Sequence, residues 1–92
     1  MAVTALTSAY TVSISLSEPR VIGRAANADI RIDDANVSRQ HAAIERIGSI
    51  YYLVDLGSTN GVYVGDDRVT RRALVDGDTI TITTHKITCR LG

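Results

Sequence analysis

Between Tyr10 and Leu16 the chain alternates, with Tyr10, Val12, Ile14 and Leu16 on one face and Thr11, Ser13 and Ser15 on the other. A period of two predicts a half-buried strand, with antiparallel pairing expected. Ser17-Glu18-Pro19 ends it, because proline has no N–H to give to a ladder. Short apolar runs follow at Val21-Ile22, which stops at Gly23-Arg24, and at Ile30-Arg31-Ile32, which stops at the turn-formers Asp33-Asp34. From Asn36 to Ile47 two periods compete. Ala42, Ala43, Ile44 and Ile47 would line a helix begun after Ser38 and stopped at Gly48, as helix propensity favours. The close spacing of strand-like runs on both sides favours a strand over Ala42–Ile47, with a loop over Asn36–His41. The strand is the expectation adopted.

Tyr51 to Leu56 is apolar on both faces and predicts a central strand covered from both sides. Val62-Tyr63-Val64 reads as a strand that turns through Gly65-Asp66-Asp67 into Arg68-Val69, a hairpin pattern. Leu74-Val75 leads into the tight turn Asp76-Gly77-Asp78. Thr79–Thr83 alternates with Ile80 and Ile82 inward, and Lys86–Leu91 forms the last strand. The pattern predicts an all-β chain of about ten to eleven short strands, an antiparallel sandwich or barrel in a single domain over 10–92. Residues 1–9 are expected to be a flexible leading segment.

Composition changes this picture only in detail. With 45% hydrophobic residues but only 4% aromatic, the core must be built from Val, Ile, Leu and Ala. Ten basic residues balance ten acidic ones, so no global field draws nucleic acid or an anionic membrane. Lys86 is the only lysine, and the remaining basic residues are arginines, whose planar fork suits phosphate or carboxylate. The lone Cys89 excludes an internal disulfide and a cysteine zinc site, and its place between Ile87 and Leu91 predicts a buried structural thiol. The first nine residues lack a basic region and a sustained apolar stretch, so neither a signal peptide nor a membrane helix is expected. A protein of the reducing cytoplasm is the default.

Candidate chemistry lies in loops, which carry the functional residues of such folds. Gly57-Ser58-Thr59-Asn60-Gly61, between two strands, holds no charge but two hydroxyls and a carboxamide, flanked by glycines that let the backbone approach a ligand. Taken alone it reads first as a hairpin loop, since Gly, Ser and Asn dominate turns. Two further loops alter that weighting. Gly23-Arg24 brings a guanidinium at a strand end, and Val37-Ser38-Arg39-Gln40-His41 brings a hydroxyl, a second guanidinium and an imidazole. Two arginines, hydroxyls and glycine-freed amides are what a small dianion needs, and no carboxylate lies within Gly57–Gly61 or beside Ser38. Each residue taken alone also has a plainer reading: Arg24 as a surface arginine, Ser38 and Thr59 as hydroxyls bonding their own turns. A nucleophilic Ser38–His41 pair lacks an acid to orient the imidazole and an oxyanion site, so no catalytic residue is expected. The aspartate pairs fit no calcium loop, and the glycine loop lacks the Gly-Lys-Ser/Thr ending of a nucleotide P-loop, so neither metal nor cofactor is expected.

Taken in order, Gly23-Arg24, Asn27-Ala28-Asp29-Ile30, Ser38-Arg39-Gln40-His41, Asp55-Leu56-Gly57-Ser58-Thr59-Asn60-Gly61 and Leu74-Val75-Asp76-Gly77-Asp78-Thr79-Ile80 resemble the forkhead-associated (FHA) domain. The likeness runs from about Tyr10 to Leu91. It implies an FHA/SMAD-like β-sandwich that binds phosphothreonine and is not an enzyme. By that resemblance Arg24 would contact the phosphate or the adjoining peptide, and Ser38, Arg39 and Thr59 would complete the phosphate cradle. Asn60 would bond the peptide main chain. His41 would brace the loop presenting Ser38, Gly23 and Gly61 would permit the backbone geometry, and Gly57 and Ser58 would complete the support. The implied partner is a phosphothreonine-bearing Ser/Thr kinase or its substrate, with no nucleic acid and no membrane. Two departures stand out. Gly65-Asp66 replaces the family's frequent Asn-Gly, and Asn36 is neutral where some members carry a basic residue that selects an acidic peptide position. The competing expectation is a structural or oligomerisation domain of the same fold that binds unphosphorylated protein.

Overall fold

A computed structural model describes residues 9–14 and 20–91. They form β1 (Ala9–Ile14), β2 (Arg20–Gly23), β3 (Ile30–Arg31), β4 (Ala42–Ile47), β5 (Ile50–Asp55), β6 (Tyr63–Val64), β7 (Asp67–Arg68), β8 (Arg71–Leu74), β9 (Thr79–Ile82) and β10 (His85–Leu91). No helix occurs among the described residues. These strands make two five-stranded sheets, ordered β1-β10-β9-β6-β7 and β3-β2-β4-β5-β8. Ile22, Ile44 and Leu53 from one sheet and Ile80, Ile82 and Ile87 from the other are essentially fully buried in one core. The expected aliphatic sandwich is therefore present, and Ala42–Ile47 is the strand rather than the helix. Tertiary pairing with β5 over all six residues outweighs the helix propensity of the two alanines.

Two expectations are corrected. The first strand was expected to pair antiparallel, but β1 runs parallel to β10, with Val12 opposite Cys89. Strands from opposite ends of a chain are not tied by a hairpin, so nothing local fixes their relative direction. Its expected end at Ser15-Leu16 lies outside the described residues, as do residues 1–8 of the proposed leading segment; Ala9 already belongs to β1. The second correction concerns β5, which lies inside its sheet between β4 and β8 but is not covered on both faces. Leu53 is buried, whereas Tyr52 and Val54 are only half-buried and Ile50 is exposed. The Arg71 guanidinium, 4.4 Å from the Tyr52 ring centroid, covers part of that outer face. One pair besides β1 and β10 is also parallel, β2 with β3.

Turns carry the loops to one place. Gly65 has φ of +61° and opens the two-residue link between the paired Val64 and Asp67, so Gly65-Asp66 closes a tight hairpin without the Asn-Gly pair. Cys89 is fully buried, and burial together with the nearby Asp78 pushes its thiol pKa up to about 11. We expect no measurable reaction with an aromatic disulfide reagent at pH 8 in the folded state and one thiol titrated in denaturant. A rapid reaction in the folded state would show the β10 packing to be wrong.

Candidate phosphothreonine groove

The end of β2 and the loop before β4 are joined backbone to backbone. Arg24 N–H donates to Ser38 O at 3.0 Å and Ala25 N–H to Arg39 O at 3.1 Å. That approach leaves no space for a side chain on Gly23, where a Cβ would overlap the Arg39 carbonyl. Glycine is thus required here by proximity, while its φ is unremarkable. Arg24 Nε–H donates to Val37 O at 3.0 Å, which fixes the guanidinium plane. Arg31 Nε–H in turn holds Arg24 O at 3.1 Å.

His41 locks this assembly to the Gly57–Gly61 loop. The imidazole is fully buried; its Nδ1 accepts from Ser38 N–H at 3.0 Å and its Nε2 lies 2.7 Å from Gly61 O. An acceptor at Nδ1 and a carbonyl at Nε2 require the neutral tautomer with its proton on Nε2. Both nitrogens are therefore engaged with backbone, and neither faces the Ser38 hydroxyl. Within the glycine loop, Ser58 N–H donates to Asp55 Oδ1 at 2.8 Å and Gly61 N–H to Ser58 Oγ at 3.0 Å. Gly57 and Gly61 take φ of +78° and +81°, conformations that favour glycine. At Gly61 a Cβ would also lie 2.5 Å from Arg68 Nε.

The result is an open groove of about 680 Å³ between the loops. Arg24, Ser38, Arg39, Thr59 and Asn60, separated by up to 36 positions (60 − 24), all line it. Thr59 N–H donates to Ser38 Oγ at 3.3 Å, which leaves the Ser38 O–H itself to donate to a ligand. Asn60 Nδ2–H donates to Asn36 O at 2.7 Å, tying the two loops across the groove mouth. Among the described residues no carboxylate lines the groove, and two guanidinium groups do. Its chemistry is that of an anion site with directional donors.

Two residues outside the expected set hold this site from below. Asp34 was read only as a turn residue, and His85 carried no expectation at all. Asp34 Oδ1 accepts from Asn36 N–H at 2.9 Å and Asp34 O from Val37 N–H at 2.9 Å. His85, buried at the start of β10, sets Nε2 2.8 Å from Asp34 Oδ2. The alternation that places Ile87 and Cys89 inward places His85 inward too, a signal available in the sequence. The Asn36 amide, and next to it His85, hold the Asp34 carboxyl below its ordinary value of 3.8. A carboxylate whose pKa is lower folded than unfolded stabilises the fold above its unfolded pKa and loses that contribution as pH falls through the folded value. Unfolding free energy of the native chain should therefore fall more steeply between pH 5 and 2 than that of Asp34→Asn, by urea titration. Parallel curves would contradict this.

The chain matches the FHA domain family over residues 20–83, and it belongs to that family. It is 45% identical over 71 residues to the transcriptional regulatory protein EmbR of Mycobacterium tuberculosis, covering 76% of this chain and 18% of EmbR. It is 43% identical over 65 residues to the oxoglutarate dehydrogenase inhibitor of Corynebacterium jeikeium, covering 71% of this chain and 45% of that protein. Its fold superposes on EmbR in complex with a low-affinity phosphopeptide with a TM-score of 0.73, at 45% identity and over 76% of this chain and 19% of that one. On the FhaA FHA domain complexed with the intracellular domain of a second protein the TM-score is 0.69, at 40% identity and over 77% and 78% of the two chains. The chain thus spans less than half the length of these two curated relatives.

Proposed function

We propose that this domain is a non-enzymatic recognition module that binds a phosphothreonine-bearing segment of a Ser/Thr kinase or of its substrate, in the cytoplasm. The observation that carries this reading is the convergence of Arg24, Ser38, Thr59 and Asn60 from three separate loops on one groove. A phosphothreonine brings roughly −1.5 to −2 charge near neutral pH and three acceptor oxygens. Arg24 neutralises that charge with its guanidinium, while Ser38 O–H and Thr59 supply directional donors and Arg39 adds a second cation at the rim. Asn60, with its carbonyl oxygen and one N–H unpaired among the described residues, bonds the peptide main chain. The neutral Asn36 places no demand for an acidic side chain on the peptide. Support also comes from the EmbR relative, which was solved with a phosphopeptide.

The test is a titration with degenerate phosphothreonine, phosphoserine and unphosphorylated peptide libraries. Binding confined to the phosphothreonine library is the expected result; equal binding of all three would sink the reading. A second reading, docking of unphosphorylated protein on a sheet face, draws on the exposed Ile47, Ile50 and Val75, which are 54%, 43% and 62% exposed. Binding that ignores the phosphate would favour it.

A further inference from the structure

Affinity in a loop-built site depends on how firmly its loops are held, and here the hold runs from the groove down to Asp34 and His85, which do not line it. Asn60 is restrained by Asn36 O, and Asn36 N–H is restrained by Asp34 Oδ1. Asp34 Oδ2 receives its bond from His85 Nε2, across a sequence separation of 51 residues. The Asp34 main-chain carbonyl also holds Val37 N–H, and Val37 O orients Arg24 Nε. His85 stands on β10 in the sheet opposite β2 and β4, and is 1% exposed. Its Nδ1 is buried with no partner among the described residues, so Nε2 makes its one directional bond. A buried imidazole with one orphaned nitrogen forms no favourable core filler; its bond to Asp34 is what offsets that orphan.

We infer that His85 and Asp34 are a positioning pair that sets peptide affinity by holding Asn60 in place through the Asn36 main chain. The inference rests on the reading of the groove as the phosphothreonine site. His85 touches only the inner end of the relay, and the peptide meets only the outer end. The Val37 bond is to the Asp34 main chain and does not depend on the carboxylate, so loosening the carboxylate weakens binding through Asn60, and the effect vanishes when Asn60 is already gone.

The experiment is a double-mutant cycle on the full chain, read by calorimetric titration with the tightest phosphothreonine peptide from the library. His85→Leu should weaken binding about tenfold in the native background and less than about twofold in the Asn60→Ala background. His85→Gln, whose carboxamide N–H reaches toward the same carboxylate, should recover most of the loss. Should His85→Leu fail to fold, Asp34→Ala takes its place, since the Asp34 side chain is 24% exposed and its removal opens no sealed cavity. Equal losses in both backgrounds would mean general destabilisation and would overturn the inference. A second readout needs no ligand. The Asn60 carboxamide resonances of the free protein should move on His85→Leu or Asp34→Ala, and unchanged resonances would also overturn it. The positioning relay can thus fail while phosphothreonine binding stands, and a loss of phosphothreonine preference in the native chain would condemn the site reading instead.

Discussion

Arg24→Ala should reduce phosphothreonine-peptide affinity by a factor of ten to several hundred while leaving the domain folded. Hydrogen bonds to charged groups contribute about 1.5–3 kcal/mol each, and about 1.4 kcal/mol is a factor of ten in affinity. Arg24 presents the one guanidinium in the groove whose plane is fixed by a backbone carbonyl, Val37 O at 3.0 Å, so its remaining donors are set before a ligand arrives. Folding loses only that single guanidinium–carbonyl contact, about 1.5–3 kcal/mol. Calorimetric titration alongside thermal unfolding separates the two effects. Arg24→Lys should recover little, because one ammonium cannot hold Val37 O and face the ligand at once. Full affinity in Arg24→Ala would remove the guanidinium from the contact altogether.

His41→Ala should be the most damaging substitution in the site, with a loss of about 3–5 kcal/mol of unfolding free energy. The imidazole is fully buried and joins Ser38 N–H to Gly61 O, so its removal leaves both backbone groups unpaired beside a new cavity. Each orphaned group costs about 1–3 kcal/mol, and truncating a buried ring adds a packing penalty. Against a typical total of about 5–15 kcal/mol for small domains, that leaves little reserve. Urea unfolding measures it directly. Peptide affinity, corrected for the folded fraction, should fall as well, since Ser38 and the glycine loop lose their common anchor. A loss below about 1 kcal/mol would show that the imidazole does not bridge the two loops.

Much of this architecture was legible along the chain because local rules dominate it. The two-residue period of Thr79–Thr83 and Lys86–Leu91 fixed which isoleucines face the core, and Ile80, Ile82 and Ile87 are indeed fully buried. The Gly65 and Gly77 turns announced themselves by residue type, and both have positive φ. What stayed hidden is long-range. Alternation is the same in parallel and antiparallel strands, so the direction of β1 against β10 left no trace in the sequence. The link between β9 and β10, Thr83-Thr84, carries no turn-forming residue, yet Ile82 pairs with His85 and Thr83 takes φ of +54°. Strand pairing on either side imposes that conformation on a β-branched residue. The double covering expected for Tyr51–Leu56 failed because a tyrosine face can be shielded by one arginine instead of a second layer.

The candidate site shows the same division. Its surface residues were visible as motifs, since three loops in succession supply hydroxyls, a carboxamide and two arginines, although each loop alone reads as a turn. The bonds that set their geometry were not visible. Gly23 was expected to allow a close backbone approach, and the Arg39 carbonyl does lie against it, but nothing along the chain named that partner. Asp34 looked like half of a turn, but it ties the Asn36 and Val37 amides to a histidine from the opposite sheet.

The central claim is that phosphothreonine binding occurs in the groove between these three loops. Its most direct test is a map of backbone and side-chain amide shifts during titration with a phosphothreonine peptide. Changes should concentrate at Arg24, Ser38, Arg39, Thr59 and Asn60, and the unphosphorylated peptide should produce none at the same concentration. Perturbations centred on Ile47, Ile50 and Val75, with the groove unmoved and no dependence on phosphate, would contradict the account.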